Sequence, residues 1–171
     1  DVCSSDLWIR NINNVSVSPG GESIAIATVP PPLENTVTSN PKNLFVLQQK
    51  HDQPVPLPVI SSSSKEQSGD SRGWIVPTGL MGWRNRNSLI GVMQVDNLNS
   101  SEQISRLVEW SRDGEEWRVR PISPSDSPVA VRCLALCDDP SCFFTLVSGD
   151  RLQRWQKQQE DWVKSEVQLP A

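Results

Sequence analysis

Tyrosine is absent, histidine occurs once (His51) and phenylalanine only three times, although the chain runs to 171 residues. A single histidine removes most acid–base and nucleophilic arrangements. A Ser-His-Asp triad would have to use His51, which stands in the turn-like QKHDQP with nothing to bring a serine and an aspartate beside it. Zinc takes about four ligands, and Cys133-x3-Cys137-x4-Cys142 lacks a close CxxC pair. There is no glycine-rich phosphate cradle: SPGGES (18–23) reads as a hairpin turn. No apolar run approaches the roughly 20 residues that a helical bilayer span needs. No charged start followed by an apolar middle reads as a secretory leader. The expectation is therefore a non-enzyme with no catalytic, cofactor-binding or metal residues, no cofactor and no membrane contact.

The first seven residues, DVCSSDL (Asp1–Leu7), are what a common sequencing adapter encodes when translated, and are set aside as an artefact of that origin. The true amino terminus is then expected to lie elsewhere. The formal charge of −4 falls to about −2 without Asp1 and Asp6. Cys3 also drops out, leaving three cysteines crowded into ten residues, a poor disulfide framework. Reduced, buried thiols of an intracellular protein are expected at Cys133, Cys137 and Cys142.

Tryptophan, by contrast, occurs seven times, and four of the seven fall in one repeated pattern. LVEWSRDGEEW (107–117) and LQRWQKQQEDW (152–162) both read Leu-x-x-Trp-x6-Trp with an acid before the second Trp. The flanks repeat too. The third copy runs VRCLAL, CDDPS, CFFTLV; the second runs GLMGW, RNRN, SLIGVMQV. The first runs NVSV, SPGGE, SIAIATV and resumes, after a Pro-rich insertion (30–41), with LFVLQQKHDQPVPLPVI. There Leu44-x-x-Leu47 replaces Leu-x-x-Trp, and Pro54-Val55 falls where Trp117 and Trp162 fall. Val55, Leu57 and Val59 alternate as one face of a strand should.

Each unit reads as four short strands joined by turns such as SPGG, RDGE and SGDR. A four-strand period of about 45 residues is that of a β-propeller blade, which buries its faces only by stacking on neighbours. The fold class is thus all-β: a partial β-propeller of about three four-stranded antiparallel blades, WD-repeat-like. The blades are expected at 8–60, carrying the Pro-rich loop, at 74–122 and at 123–171, the last one incomplete or not, with a Ser-rich flexible loop at 61–73. Leu-x-x-Trp would be the third strand of each blade, the second Trp would open the outer strand, and both would fill the space between sheets. The competing reading is a helix through Leu152–Trp162, whose residues are strong helix formers. The match to RLVEWSRDGEEWRV favours a hairpin.

Charged residues give no stronger chemical signal. The acid pairs Glu115-Glu116, Asp138-Asp139 and Glu160-Asp161 all fall in expected turns, where acids are ordinary. Eight arginines between Arg72 and Arg132 are interleaved with seven acids and form no basic stripe, so direct nucleic-acid binding is not expected. Arg84 and Arg86, in GWRNRNS, could touch phosphate at a loop tip, but a solvated turn is the simpler reading.

The succession NNVSVSPGGESIAIATV…LFVLQ, GLMGWRNRNSLIGVMQ and RCLALCDDPSCFFTLVSGDRLQRW resembles the N-terminal propeller region of the largest Elongator subunit. Trp83 before a polar turn, the strand Leu89–Val92, the LALC strand at Leu134–Cys137, and Phe143–Val147 leading through Gly149 to Trp155 carry the resemblance. The Ser-rich loop, and Gly149-Asp150 in place of Asp-Gly, depart from it. The resemblance implies a non-catalytic scaffold in the assembly that modifies wobble uridines of transfer RNA. Its partners would be other protein subunits and its location the cytoplasm, with or without the nucleus. Other scaffold propellers, of WD-repeat, nuclear-pore or Mediator type, and the accessory propeller of a hydrolase are the alternatives.

Overall fold

The computed structural model describes residues 12–28, 44–49, 53–58, 74–96, 104–122 and 130–168. These form twelve strands in three four-stranded antiparallel sheets, with no helix among the described residues. The first sheet holds β1 (Ile12–Val17), β2 (Ser23–Thr28), β3 (Leu44–Gln48) and β4 (Val55–Pro56). The second holds β5 (Trp74–Asn85), β6 (Ser88–Asp96), β7 (Ile104–Asp113) and β8 (Glu116–Pro121). The third holds β9 (Val131–Leu136), β10 (Cys142–Val147), β11 (Arg151–Gln158) and β12 (Asp161–Val167). In each sheet every strand pairs with its successor in the chain.

Leu152–Trp162 is a hairpin and not a helix: Trp155 lies opposite Lys164 and Lys157 opposite Trp162. Alternating burial decides this. Gln153 and Trp155 are buried while Arg154 between them is exposed, a two-residue period that a helix would scramble. Tight reversals fall where glycine permits them. Gly114 turns β7 into β8 at φ +64°, and Gly149 with Asp150 turns β10 into β11 at φ +81° and +54°. The RNRN turn is shorter than its four letters suggest, because Arg84 and Asn85 still belong to β5.

The sheets stack in chain order, with β5 touching both β1 and β9. For each sheet, the face toward the next sheet in the chain is termed leading and the opposite face trailing. The leading face of the first sheet offers Ala25, Ala27, Leu44, Val46 and Leu57 to Trp83, Leu89, Met93, Val108 and Trp110 on the trailing face of the second. The leading face of the second offers Ile90, Val92, Leu107 and Ile122 to Phe143 and Trp155 on the trailing face of the third. Strand alternation produces this: Leu89 and Met93 point one way from β6, Ile90 and Val92 the other. The middle sheet is therefore buried on both faces.

The repeated Leu-x-x-Trp has a structural meaning here. Leu44 and Leu107 sit on leading faces; Trp110 and Trp155 sit on trailing faces. Trp117 and Trp162 open the outer strands and pack into the same two seams. The outer strand of the first unit opens at Val55, as expected. Its register differs: Val55 pairs with Val46 as Arg120 pairs with Glu109, so Val55 stands three positions beyond the place of Trp117. The chain from Val46 to Val55 is two residues shorter than that from Glu109 to Arg120, which causes the offset. Val59, the Pro-rich loop and the Ser-rich loop lie outside the described residues, as do Asp1–Leu7.

Candidate functional site

The densest polar grouping lies in the seam between the second and third sheets, around Glu109. Its place on β7 follows from alternation: two residues after Leu107, it shares the leading face and is 1% exposed. Ser88, at the start of β6, donates its hydroxyl to Oε1 at 2.9 Å. Arg120, opposite on β8, donates Nε and Nη2 to Oε2 at 2.9 and 2.6 Å. Trp162 of β12 adds its indole N–H to Oε2 at 3.2 Å. Arg84 Nη2 stands 3.1 Å from Oε1, and Lys157 Nζ 3.6 Å. Arg84 and Lys157 also lie over the Trp162 ring, 5.8 and 5.7 Å from its centroid.

One carboxylate thus serves three cations, two strands of another sheet and a tryptophan. Burial pushes the Glu109 carboxyl up, but the Arg120 bonds, the Arg84 charge, and the Trp162 and Ser88 bonds outweigh it and hold the carboxyl below its ordinary value. Lys157 is held below its ordinary value, first by burial and then by Arg84 and Arg120, with Glu109 and Glu160 pulling the other way. A carboxylate held ionised, with both oxygens occupied by donors, is unsuited to proton transfer. It is suited to clasping two sheets.

Arg84 is consequently not a solvated turn residue: its side chain is 15% exposed and committed to Glu109 and to Ser88, whose Oγ accepts from Nε at 3.2 Å. Arg86 is the exposed one of the pair and meets Glu22 of the first sheet at 3.4 Å. Glu115-Glu116, Asp138-Asp139 and Glu160-Asp161 all sit exposed at hairpin turns, as their positions predicted. His51 lies outside the described residues. Among the described residues no group of three or more His, Cys, Asp or Glu could hold a metal ion, and no helix is long and apolar enough to cross a membrane.

The cysteines require a correction. Cys133 is exposed and Cys137 half-buried; only Cys142 is buried as expected. Cys133 lies opposite Leu146, on the leading face of the third sheet, and no described sheet follows to cover that face. Leu152 pairs with Leu146, and Val167 with Leu152, in the same row; they are half-buried, and Val163, on the same face, is 43% exposed. The trailing face of the first sheet ends the stack the other way, with Val15 46% and Val17 56% exposed.

Glu109 was not singled out by its sequence. The available signal was a charged residue in phase with Leu107 and Ile122, between strands otherwise apolar on that face. No protein-family model matches the chain, and no curated protein matches it.

Proposed function

We propose that the chain is a non-catalytic scaffold: three consecutive blades of a β-propeller that present their end faces and rim loops to other protein subunits. The observation that carries this reading is the reuse of one interface. A leading face built around Leu44, then around Leu107, is covered each time by a trailing face that carries an aromatic third strand. Leu152 on the third sheet repeats the same position. Propellers close with about four to eight blades, so three blades are a part of such a ring. The charges of the seam support a structural role, since Glu109 takes up hydrogen bonds from Ser88 and Arg120 and pairs with Arg84. The likeness of the blade sequences to the largest Elongator subunit makes that assembly, acting in the cytoplasm or nucleus on wobble uridines of transfer RNA, the first one to test.

The test is reconstitution. The chain, with its native flanks, is mixed with purified Elongator subunits and followed by size-exclusion chromatography. Co-elution that is lost in a Leu152→Asp variant supports the reading. Turnover of any substrate that is abolished by changing His51 or an acid pair would sink it. Long helical repeats in the flanks fit the scaffold; a G-x-S-x-G elbow there would point to a hydrolase instead.

A further inference from the structure

The turn between β9 and β10 brings two thiols together. Leu136 lies opposite Phe143, so Cys137 and Cys142 form the next pair outward. The Cys137 amide donates to the Cys142 carbonyl at 3.3 Å. Directly opposed residues of an antiparallel pair have Cα atoms about 4.5–5.5 Å apart, within the range that a disulfide spans. Cys133 is four residues back along β9, about 13 Å at strand rise, and cannot substitute for either.

The turn itself is fixed. Asp139 accepts from the Ser141 amide and hydroxyl at 2.8 and 2.7 Å, and its carbonyl accepts from the Cys142 amide at 3.0 Å. Gln156 on β11 donates to Ser141 Oγ at 2.8 Å. Burial and then the neighbouring Cys142 push the Cys137 thiol up to about 11.

We propose that Cys137 and Cys142 are an oxidation site that closes to a reversible cross-strand disulfide with hydrogen peroxide as the oxidant. The sulfur of one of the two, deprotonated as it reacts, attacks one peroxide oxygen; an S–O bond forms, the O–O bond breaks, and the departing hydroxide takes that thiol's proton to become water. The other sulfur then attacks the sulfenic acid. An S–S bond forms, the S–O bond breaks, and the leaving hydroxide takes the second thiol's proton as a second water. Two thiols are oxidised and one peroxide is reduced. The inference concerns the chain alone and does not rest on the scaffold reading.

The full chain is treated with hydrogen peroxide, alkylated, cleaved before Asp138, and analysed by mass spectrometry. The expected result is a fragment ending in Cys137 linked to the fragment carrying Cys142, released by dithiothreitol and retained in a Cys133→Ser variant. Cys137→Ser and Cys142→Ser variants should each lose the bridge and give a sulfenic acid on the remaining thiol of the pair, trapped by dimedone. Recovery of both Cys137 and Cys142 fully alkylated while Cys133 is oxidised would overturn the proposal, as would a bridge to Cys133 in place of one between Cys137 and Cys142.

Discussion

Val46 and Glu109 occupy the same place in successive sheets, two residues after Leu44 and Leu107 and facing the next sheet. The seams they enter are built differently. Across from Val46 the second sheet packs Trp83, Trp110 and Trp117 on small and aliphatic residues, with Trp83 and Trp117 edge to face at 5.9 Å. Across from Glu109 the third sheet adds Trp162 and Lys157 to a web of charges. The tryptophans register the difference. The Trp162 indole N–H donates to Glu109, whereas the equivalent Trp117 N–H is buried without a partner among the described residues. Apolar contact suffices to hold two such sheets together. The ionic seam adds directionality, at the cost of depending on a single carboxylate.

That dependence is the first thing to break. Glu109→Ala leaves Arg84 and Lys157 in the seam without their carboxylate and Arg120 with only the exposed Glu160 at 3.5 Å, and should cost about 3–5 kcal/mol in urea unfolding. Val46→Ala, at the matching place, should cost about 2 kcal/mol or less, as a small cavity. Equal losses would erase the contrast. Gly91→Ala comes next: a Cβ there would meet the Trp110 ring at 2.8 Å and the Leu80 carbonyl at 3.2 Å. Overpacking of this kind should cost about 1–3 kcal/mol. Gly82→Ala points into the other seam and meets the Leu136 methyl at 2.6 Å, the tip of a side chain that can turn aside, so its loss should be smaller. The two unfolding midpoints, compared side by side, decide the order.

Trp162→Phe removes a hydrogen bond to a charged acceptor and should cost about 1.5–3 kcal/mol more than Trp117→Phe, which removes none seen here. The same carboxylate sets the acid limb. Its folded value lies below its unfolded one, so its contribution is complete above the ordinary glutamate range and is lost as pH falls through the folded value. Glu109→Gln should flatten that limb in a pH series of urea midpoints, while Val46→Ala leaves it unchanged. Smallest of all is the exposed pair Arg86–Glu22, where Arg86→Ala should change stability by less than about 1 kcal/mol.

The sequence made the sheets legible because each unit repeats a two-residue alternation and places glycine at its turns. Leu-x-x-Trp marked the third strands correctly even for LQRWQKQQEDW, where helix propensity argued otherwise. It placed the start of the first unit's outer strand at Val55 correctly but not its register, because spacing counted from Leu47 cannot show that the chain between equivalent pairs is two residues shorter there. The polar seam was hidden for a related reason. Glu109 and Arg84 look like surface charges until β8 and β12 arrive from 11 and 53 residues away to satisfy them. Cys133 was misjudged by the reverse error: alternation gave its face, but not whether that face is covered.

Leading and trailing faces are unlike, and that inequality bears on symmetry. A dimer with a two-fold axis must bring one patch against an identical patch. Both interfaces of this stack instead join a leading face to a trailing face, so contact between molecules through the same chemistry is head to tail. Head-to-tail contact leaves one unsatisfied end at every addition. It stops only when the rotation between subunits closes a ring; otherwise it grows with concentration into open chains.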